Sequence, residues 1–161
     1  MTVSVHAVAD YFILKVDREA GDDITRLKLQ KLIYYAQAWY LAMHGRALFE
    51  DKFEAWAHGP VCRAIHKRFQ YLSLNPIPPR TVISDPANLD AETKGFLDEV
   101  WDIYGQYSAA KLEAMTHQED PWLEARKGMP PEQQGETPIS EDTMAGFYRA
   151  RMLARRRIRE K

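Results

Sequence analysis

The segment from Thr25 to His44 constrains the fold of this chain more than any other, because it is apolar on nearly every face of a helix. Thr25 can cap the start of that helix and Gly45 can end it. At 1.5 Å per residue the helix would span about 30 Å, the width of a small domain. A helix that is apolar nearly all round must be buried by neighbours on several sides. We therefore predict a central helix inside a helical bundle.

Capping residues followed by periodic apolar residues predict further helices on both sides of this segment. The count is about six or seven helices. We predict a mainly α fold, a compact single-domain bundle arranged around the long central helix. The predicted starts of the other main helices are Ser4, Asp90, Ser108, Asp120–Pro121 and Ser140.

The segment after the central helix predicts a small β element. Phe53, Ala55 and Ala57 alternate with bulkier or polar residues, which is typical of a short strand. We expect this strand to pair with Ala47–Phe49, which gives a small β-hairpin near residues 47–58. Pro60 suits the first position of the next helix, where its missing N–H costs nothing.

Length and composition place the chain in a broad class. Its 161 residues fit one domain, because about 150 residues can bury roughly two-thirds of their surface. The single cysteine, Cys62, excludes an internal disulfide and fits a reducing compartment. The first residues lack the charged and apolar regions that would predict a signal peptide, and no apolar run approaches the roughly 18 residues of a membrane span. We predict a cytoplasmic protein that does not enter a membrane.

Charge is unevenly distributed along the chain. The segment Arg149–Lys161 holds seven basic residues and one acidic residue, so it carries +6, whereas the whole chain carries −1. The segment is interpreted as a solvated helix end, as a contact for an acidic protein face, or as a contact for nucleic-acid phosphates. Nucleic acid ranks third, because no aromatic residue follows Tyr148 and no helix-turn-helix pattern is present.

A metal-dependent enzyme is the main alternative from another class. His58, Cys62 and His66 would share one helical face at their spacing, and zinc binds such ligands. Gly59–Pro60, however, separates His58 from the helix that would hold the other two. No phosphate-binding glycine loop and no nucleophile elbow is present. We predict that the chain is not an enzyme and has no catalytic residue, no cofactor and no metal. If the metal-dependent alternative holds, His117 would belong to the site together with His58, Cys62 and His66.

Aromatic residues favour a protein that binds another protein. The chain contains four tryptophans and eight tyrosines, and Trp, Tyr and Arg dominate binding hot spots. Trp39 and Trp101 lie on long apolar stripes and are predicted to be core. Trp56 and Trp122 lie at the edges of elements, where both a core role and a binding role stay open.

A set of short motifs follows the chain in a fixed order. The stretches are Ala9–Ile13, Leu27–Trp39, Gly45–Phe49, Glu54–Trp56, His58–Val61, Tyr107–Leu112, Thr116–His117 and Glu119–Trp122. The helix motif Leu27–Trp39 and the Gly-Pro-Val turn are specific, and the Asp-Pro-Trp motif adds to them. Together they resemble the SocA-like antitoxin family, also called the Panacea domain, which includes the phage-associated GepA-like proteins. The resemblance covers roughly residues 5–150 and predicts one such domain over 1–150, followed by a basic helical extension over 151–161.

The resemblance implies a function. Members of the family are antitoxins encoded beside a toxin gene in bacteria and prophages, and they neutralise toxins by direct binding. The founding member instead acts as a proteolytic adaptor that delivers its toxin to the ClpXP protease. The implied partners are therefore a toxin from an adjacent gene and, for an adaptor, ClpXP. The candidate partner-binding residues are Tyr34, Tyr35, Trp56, His58, His117, Trp122, Arg155 and Arg156.

Overall fold

The computed structural model describes residues 2–160, and for residues 154–160 it describes the helical backbone alone. Within this range the chain forms seven α-helices and a sheet of three short strands. This confirms the predicted mainly α bundle. The helices are α1 (Val5–Lys15), α2 (Arg26–His44), α3 (Arg63–Phe69), α4 (Ala91–Tyr104), α5 (Ala109–Thr116), α6 (Asp120–Arg126) and α7 (Glu141–Glu160); the strands are β1 (Glu54–Trp56), β2 (Gly59–Val61) and β3 (Thr137–Pro138).

Helix α2 is the central element, as its sequence predicts. Thr25 caps it, because the hydroxyl oxygen accepts a hydrogen bond from the Lys28 N–H at 3.3 Å. Gly45 ends it in the left-handed conformation, and the N–H of Gly45 donates to the Leu41 carbonyl at 2.9 Å. Helices α1, α3, α4, α5 and α7 all pack against α2, which explains why it is buried on nearly every side.

The other predicted helix starts are also confirmed. Asp90 accepts a hydrogen bond from the Thr93 N–H at 2.7 Å, and Ser108 accepts one from the Lys111 N–H at 3.1 Å. Pro121 occupies the first turn of α6, where no intrahelical donor is needed. Because each signal is local in sequence, it can be recognised without knowledge of the tertiary structure.

The predicted partner of the first strand is wrong. β1 pairs antiparallel with β2 on one side and with β3 on the other, so the hairpin spans residues 54–61. Residues 47–49 form no strand, because the buried side chain of Gln37 satisfies their backbone instead. Its Oε1 accepts from the Leu48 N–H and its Nε2 donates to the Phe49 carbonyl, both at 2.8 Å.

The predicted role of Pro60 is also wrong. Pro60 lies in β2 opposite Ala55, and the following helix begins only at Arg63. β2 is an edge strand of the sheet, where one side of the backbone needs no partner and proline is tolerated.

Helix α7 packs along α2 and runs without a break across residue 150, where the sequence predicts a domain boundary. The division into residues 1–150 and 151–161 stays a prediction. Across the described helices, no stretch combines the length and apolar character needed to cross a membrane.

Candidate partner-binding surfaces

The structure places Tyr34 and Tyr35 in the core instead of on the surface. Their exposed fractions are 1% and 0%. Tyr34 packs edge-to-face on Phe53, and Tyr35 stacks on Tyr104 with ring centroids 4.1 Å apart. Both were predicted to contact a partner; their burial between α2 and its neighbours gives them a role in the scaffold.

Glu119 forms a buried polar centre that joins α2 to α7. Its Oε1 accepts hydrogen bonds from the hydroxyls of Tyr35 and Tyr148, at 2.8 and 2.6 Å. Its Oε2 accepts one from the Arg151 guanidinium at 3.0 Å. Burial raises the pKa of the Glu119 carboxyl, and the two tyrosines and Arg151 oppose that rise. The sequence did not reveal this role, although Glu119 directly precedes the Asp-Pro-Trp motif.

Trp122 is also a core residue. It is 3% exposed, and its indole N–H donates to the Trp56 carbonyl at 2.8 Å, so it ties α6 to the hairpin. The His117 ring stacks on the Trp122 ring, with centroids 4.0 Å apart. Desolvation lowers the pKa of His117, while Glu113 opposes that shift. Of these two predicted partner-binding residues, His117 is partly accessible and Trp122 is not.

Two predicted residues do lie at the surface, on the β-hairpin. His58 occupies the turn between β1 and β2, its side chain is 72% exposed, and its Nδ1 lies 3.0 Å from the Glu113 carboxylate. Trp56 is half-buried. The Arg63 guanidinium lies over its ring, and the His66 ring packs against it with ring centroids 4.8 Å apart. The hairpin, the end of α5 and the loop after α6 line an open cleft of about 430 Å³ to which His58, Glu113 and His117 contribute.

His58, Cys62 and His66 do not share a helical face. Because residues 59–61 form a strand, His58 lies in a turn and Cys62 lies buried just before α3. The expectation that the three side chains share one face required a continuous helix from residue 58 to residue 66. Among the side chains that the structure describes, no group of three His, Cys, Asp or Glu residues is placed to hold a metal ion.

Lys31 is a buried cation that the sequence did not reveal. It is 1% exposed, and its Nζ has no hydrogen-bond partner among the described residues. Burial lowers the pKa of Lys31 to about 8. Its side chain packs against Gly59, whose φ is +107°; a Cβ at that position would lie 2.6 Å from the Lys31 Cε. The Gly-Pro-Val turn therefore has a packing role.

A surface groove between α2, α4 and α7 was also missed. It has a volume of about 160 Å³ and is lined mainly by apolar side chains. Met43 and Ile103 at its rim are 47% and 43% exposed. The sequence placed these residues on helices, but it did not show that three helix faces meet there. The lining includes Trp39, Met43, Phe96, Val100, Ile103 and Met152.

A second apolar surface lies in the loop between α3 and α4, where Tyr71 and Ile83 are 69% and 75% exposed. Asp10, 1% exposed, fixes this loop because its carboxylate accepts hydrogen bonds from the N–H groups of Ile83 and Ser84. Arg68 pairs with the same carboxylate. The loop therefore presents its apolar side chains from a fixed backbone.

The predicted contacts Arg155 and Arg156 lie outside the described side chains. Arg149 and Arg151, earlier in α7, are described. The Arg149 Nε donates to the Ala42 carbonyl at 3.2 Å, while Arg151 reaches Glu119. Arg151, the first basic residue of the predicted extension, and Arg149 just before it thus attach α7 to the bundle.

Comparison with known proteins gives two matches. The family model described as antitoxin SocA-like, Panacea domain, matches residues 29–123. The protein named antitoxin SocA from Caulobacter vibrioides (strain NA1000 / CB15N) is 31% identical over 135 residues, which cover 75% of this chain and 69% of that relative. No solved structure matches the chain. The matched residues include most of α2, the hairpin, α4 and Glu119, whereas α7 lies beyond them.

Proposed function

The chain belongs to the SocA-like antitoxin family, the family of the Panacea domain, and from this premise we propose that it neutralises a cognate toxin by binding it directly. The toxin is the product of an adjacent gene, and the complex forms in the cytoplasm with one antitoxin per toxin. Binding, not catalysis, is the activity. Family membership carries this proposal, since the relative with 31% identity is itself named an antitoxin.

The distribution of side chains supports a binding function. A continuous core runs through the bundle, yet large apolar side chains remain in water at Met43, Ile103, Tyr71 and Ile83. A standard interface covers about 800 Å² on each partner. That is roughly a tenth of the 8948 Å² accessible surface of the chain. The scaffold therefore has room to cover a toxin's active or target-binding face while most of its surface stays in water.

Co-expression tests the proposal. The product of the adjacent gene is expressed alone and together with this chain, and bacterial growth is followed. We expect growth arrest in the first case, growth in the second, and a stable equimolar complex on size-exclusion chromatography. Absence of arrest, or arrest that this chain does not relieve, would overturn the proposal. Glu119→Ala, which removes the shared acceptor between α2 and α7, serves as the control for rescue that is weakened through lowered stability.

The same cells separate masking from degradation. We propose masking as the main mode, with delivery of the toxin to ClpXP as a further step. If masking suffices, rescue persists in cells that lack ClpX, and the toxin accumulates there in the complex. If rescue disappears in those cells while the purified proteins still bind, then the chain acts as a proteolytic adaptor.

A further inference from the structure

A stretch of the chain without acidic residues contains α3 and most of the loop between α3 and α4. Between Glu54 and Asp85 the sequence has no Asp or Glu, although the whole chain has 23 of them. The same stretch carries +4, while the chain as a whole carries −1, and its four basic residues are Arg63, Lys67, Arg68 and Arg80. Charge of one sign that is concentrated in this way attracts partners of the opposite sign.

Two of these four cations are already paired within the fold, and two are not. Arg63 and Arg68 form ion pairs with carboxylates of the chain itself. Lys67 and Arg80 are exposed, and neither side chain pairs with any acidic residue that the structure describes. Asp85, the next acidic residue along the chain, accepts a hydrogen bond within its own turn. A partner carboxylate could therefore bind Arg80 without breaking an existing ion pair.

Arg80 lies at an open cleft between α1, α3 and the loop after α3. The cleft has a volume of about 510 Å³, roughly three times the 150 Å³ or so of a cavity that holds one benzene molecule. It therefore has room for a short segment of a partner. The side chains described along its lining include no Asp or Glu; they include His6, Arg68, Phe69, Tyr71, Arg80 and Ile83.

The same loop leaves large apolar side chains in water. Tyr71 and Ile83, which line the cleft, are 69% and 75% exposed, and Leu74 between them in sequence is 67% exposed. These are the three highest exposed fractions among the large apolar side chains that the structure describes. Large apolar side chains that cluster around a concave site mark binding surfaces more often than isolated ones do.

Hydrogen bonds fix the backbone of this loop before any partner arrives. The Asp10 carboxylate accepts from the N–H groups of Ile83 and Ser84, at 3.1 and 2.8 Å. The Arg68 guanidinium donates to the Thr81 carbonyl at 2.9 Å. A preformed site loses little conformational entropy on binding, which favours affinity.

We propose that this cleft docks an acidic segment of the toxin, which places a large apolar side chain against Tyr71 and Ile83 and a carboxylate at Arg80. Complementary charge speeds such an association and fixes its orientation. This inference rests on the proposed antitoxin function and names the site that performs it.

Other occupants fit the cleft less well. Nucleic-acid bases stack on aromatic rings, whereas the aliphatic Ile83 needs an apolar side chain to cover it. A second copy of the chain that docked through the same face would bring two stretches of +4 together, and like charges repel.

A matched pair of variants tests the apolar contact. Ile83→Asp places a carboxylate in the cleft, whereas Ile103→Asp makes the same change on α4, outside it. The probe is the product of the adjacent gene, separated from the co-expressed complex in denaturant and refolded, and biolayer interferometry measures its binding. We expect Ile83→Asp to weaken binding by about tenfold or more and Ile103→Asp to leave it within about threefold. Circular dichroism should show both variants folded, because both side chains are exposed.

A second pair of variants tests the charge. Arg80→Glu should lower the association rate by about fivefold at low salt, with a smaller difference at high salt. Lys111→Glu, at an exposed cation on α5, is the control and should change the rate by less than about twofold. An unchanged rate for Arg80→Glu at low salt would overturn the acidic character of the docked segment.

The remaining outcomes separate this inference from the proposed function. If Ile83→Asp binds the toxin like wild type, or if Ile103→Asp weakens binding equally, the cleft is not the docking site while the antitoxin function stands. If the wild-type chain does not bind the toxin at all, the proposed function fails and the inference fails with it. If Arg80→Glu abolishes binding to duplex DNA, or Ile83→Asp abolishes self-association, while toxin binding is unchanged, another partner occupies the cleft and the inference is wrong.

Discussion

Glu119 and Lys31 are both charged residues buried against the central helix, but the structure surrounds them in opposite ways. Glu119 is 3% exposed, and both carboxylate oxygens accept hydrogen bonds, two from tyrosine hydroxyls and one from Arg151. Lys31 is 1% exposed, and within the described residues its ammonium finds no acceptor. The Glu119 carboxylate joins α2 to α7, whereas the Lys31 ammonium joins no two elements by a hydrogen bond.

The comparison shows that burial of charge has no single effect on stability. A buried charge whose hydrogen-bonding atoms all have partners contributes to the native packing. Its removal leaves all of those partners without a hydrogen bond at once. A buried charge without a partner keeps its desolvation penalty. Four predictions test this contrast, and they run from the largest expected effect to the smallest.

Glu119→Ala should produce the largest change. It leaves the hydroxyls of Tyr35 and Tyr148 and the Arg151 guanidinium without their acceptor inside the bundle. We expect the free energy of unfolding in urea to fall by about 3–5 kcal/mol. Glu132→Ala, at an exposed glutamate, is the control and should change stability by less than about 0.5 kcal/mol. Equal effects at the two positions would show that the buried centre does not hold α7.

The pH dependence of stability should reveal Lys31. Its pKa is about 8 in the folded chain and near 10.5 when unfolded. Between these values the unfolded state binds more protons, so the free energy of unfolding rises with pH, by about 3 kcal/mol across the window. Well below pH 8 the folded and unfolded states both hold this proton, so Lys31 adds no pH dependence to the free energy of unfolding. The measurement is the difference between wild type and Lys31→Met in urea titrations from about pH 7 to about pH 10. A constant difference would contradict the prediction.

Lys31→Met should stabilise the fold at neutral pH, in contrast to the loss at Glu119. The methionine fills a similar volume without a buried charge, so we expect a gain of about 2 kcal/mol in the free energy of unfolding. Calorimetric melting measures it. A loss of stability would mean that Lys31 has an acceptor in solution, and the contrast between the two charges would then disappear.

Gly59→Ala should destabilise by about 1–2 kcal/mol, because the residue has a positive φ and its new Cβ would meet the Lys31 side chain. Gly95→Ala in α4 is the matched control. No atom lies within 4 Å of its added Cβ, and alanine favours a helix, so that variant should gain about 0.5–1 kcal/mol. Chemical denaturation compares the two; the same sign for both would refute the packing role of Gly59.

Prediction from sequence succeeded where the signal is local. The caps at Thr25, Asp90 and Ser108 act over three residues, and each is found where it was predicted. The prediction failed at Pro60, because proline suits an edge strand as well as a helix start. Whether residues 59–61 form a strand depends on β1, and β1 in turn pairs with β3, which lies some eighty residues later in the sequence.

The candidate binding residues divide in the same way. Tyr34, Tyr35 and Trp122 were predicted as contacts because aromatic residues dominate hot spots, yet the structure buries all three. Trp56 and Trp122 were expected at the edges of elements with both roles open, and Trp56 is half-buried on the hairpin; the predicted contact His58 is exposed in the turn. Composition cannot separate these cases, since an aromatic side chain serves a core and an interface equally well.

The sequence by itself determined the central helix, the starts of its neighbours, the family and the basic segment at the end of the chain. All of these depend on residue spacing, on short-range capping or on motifs that lie along the chain. Only the tertiary structure decided that the Glu119 carboxylate is hydrogen-bonded while the Lys31 ammonium is not, among the described residues. It also decided that α2, α4 and α7 leave an apolar groove between them. Burial and hydrogen-bond pairing depend on contacts between elements that are far apart in the sequence, and residue spacing within one segment does not predict those contacts.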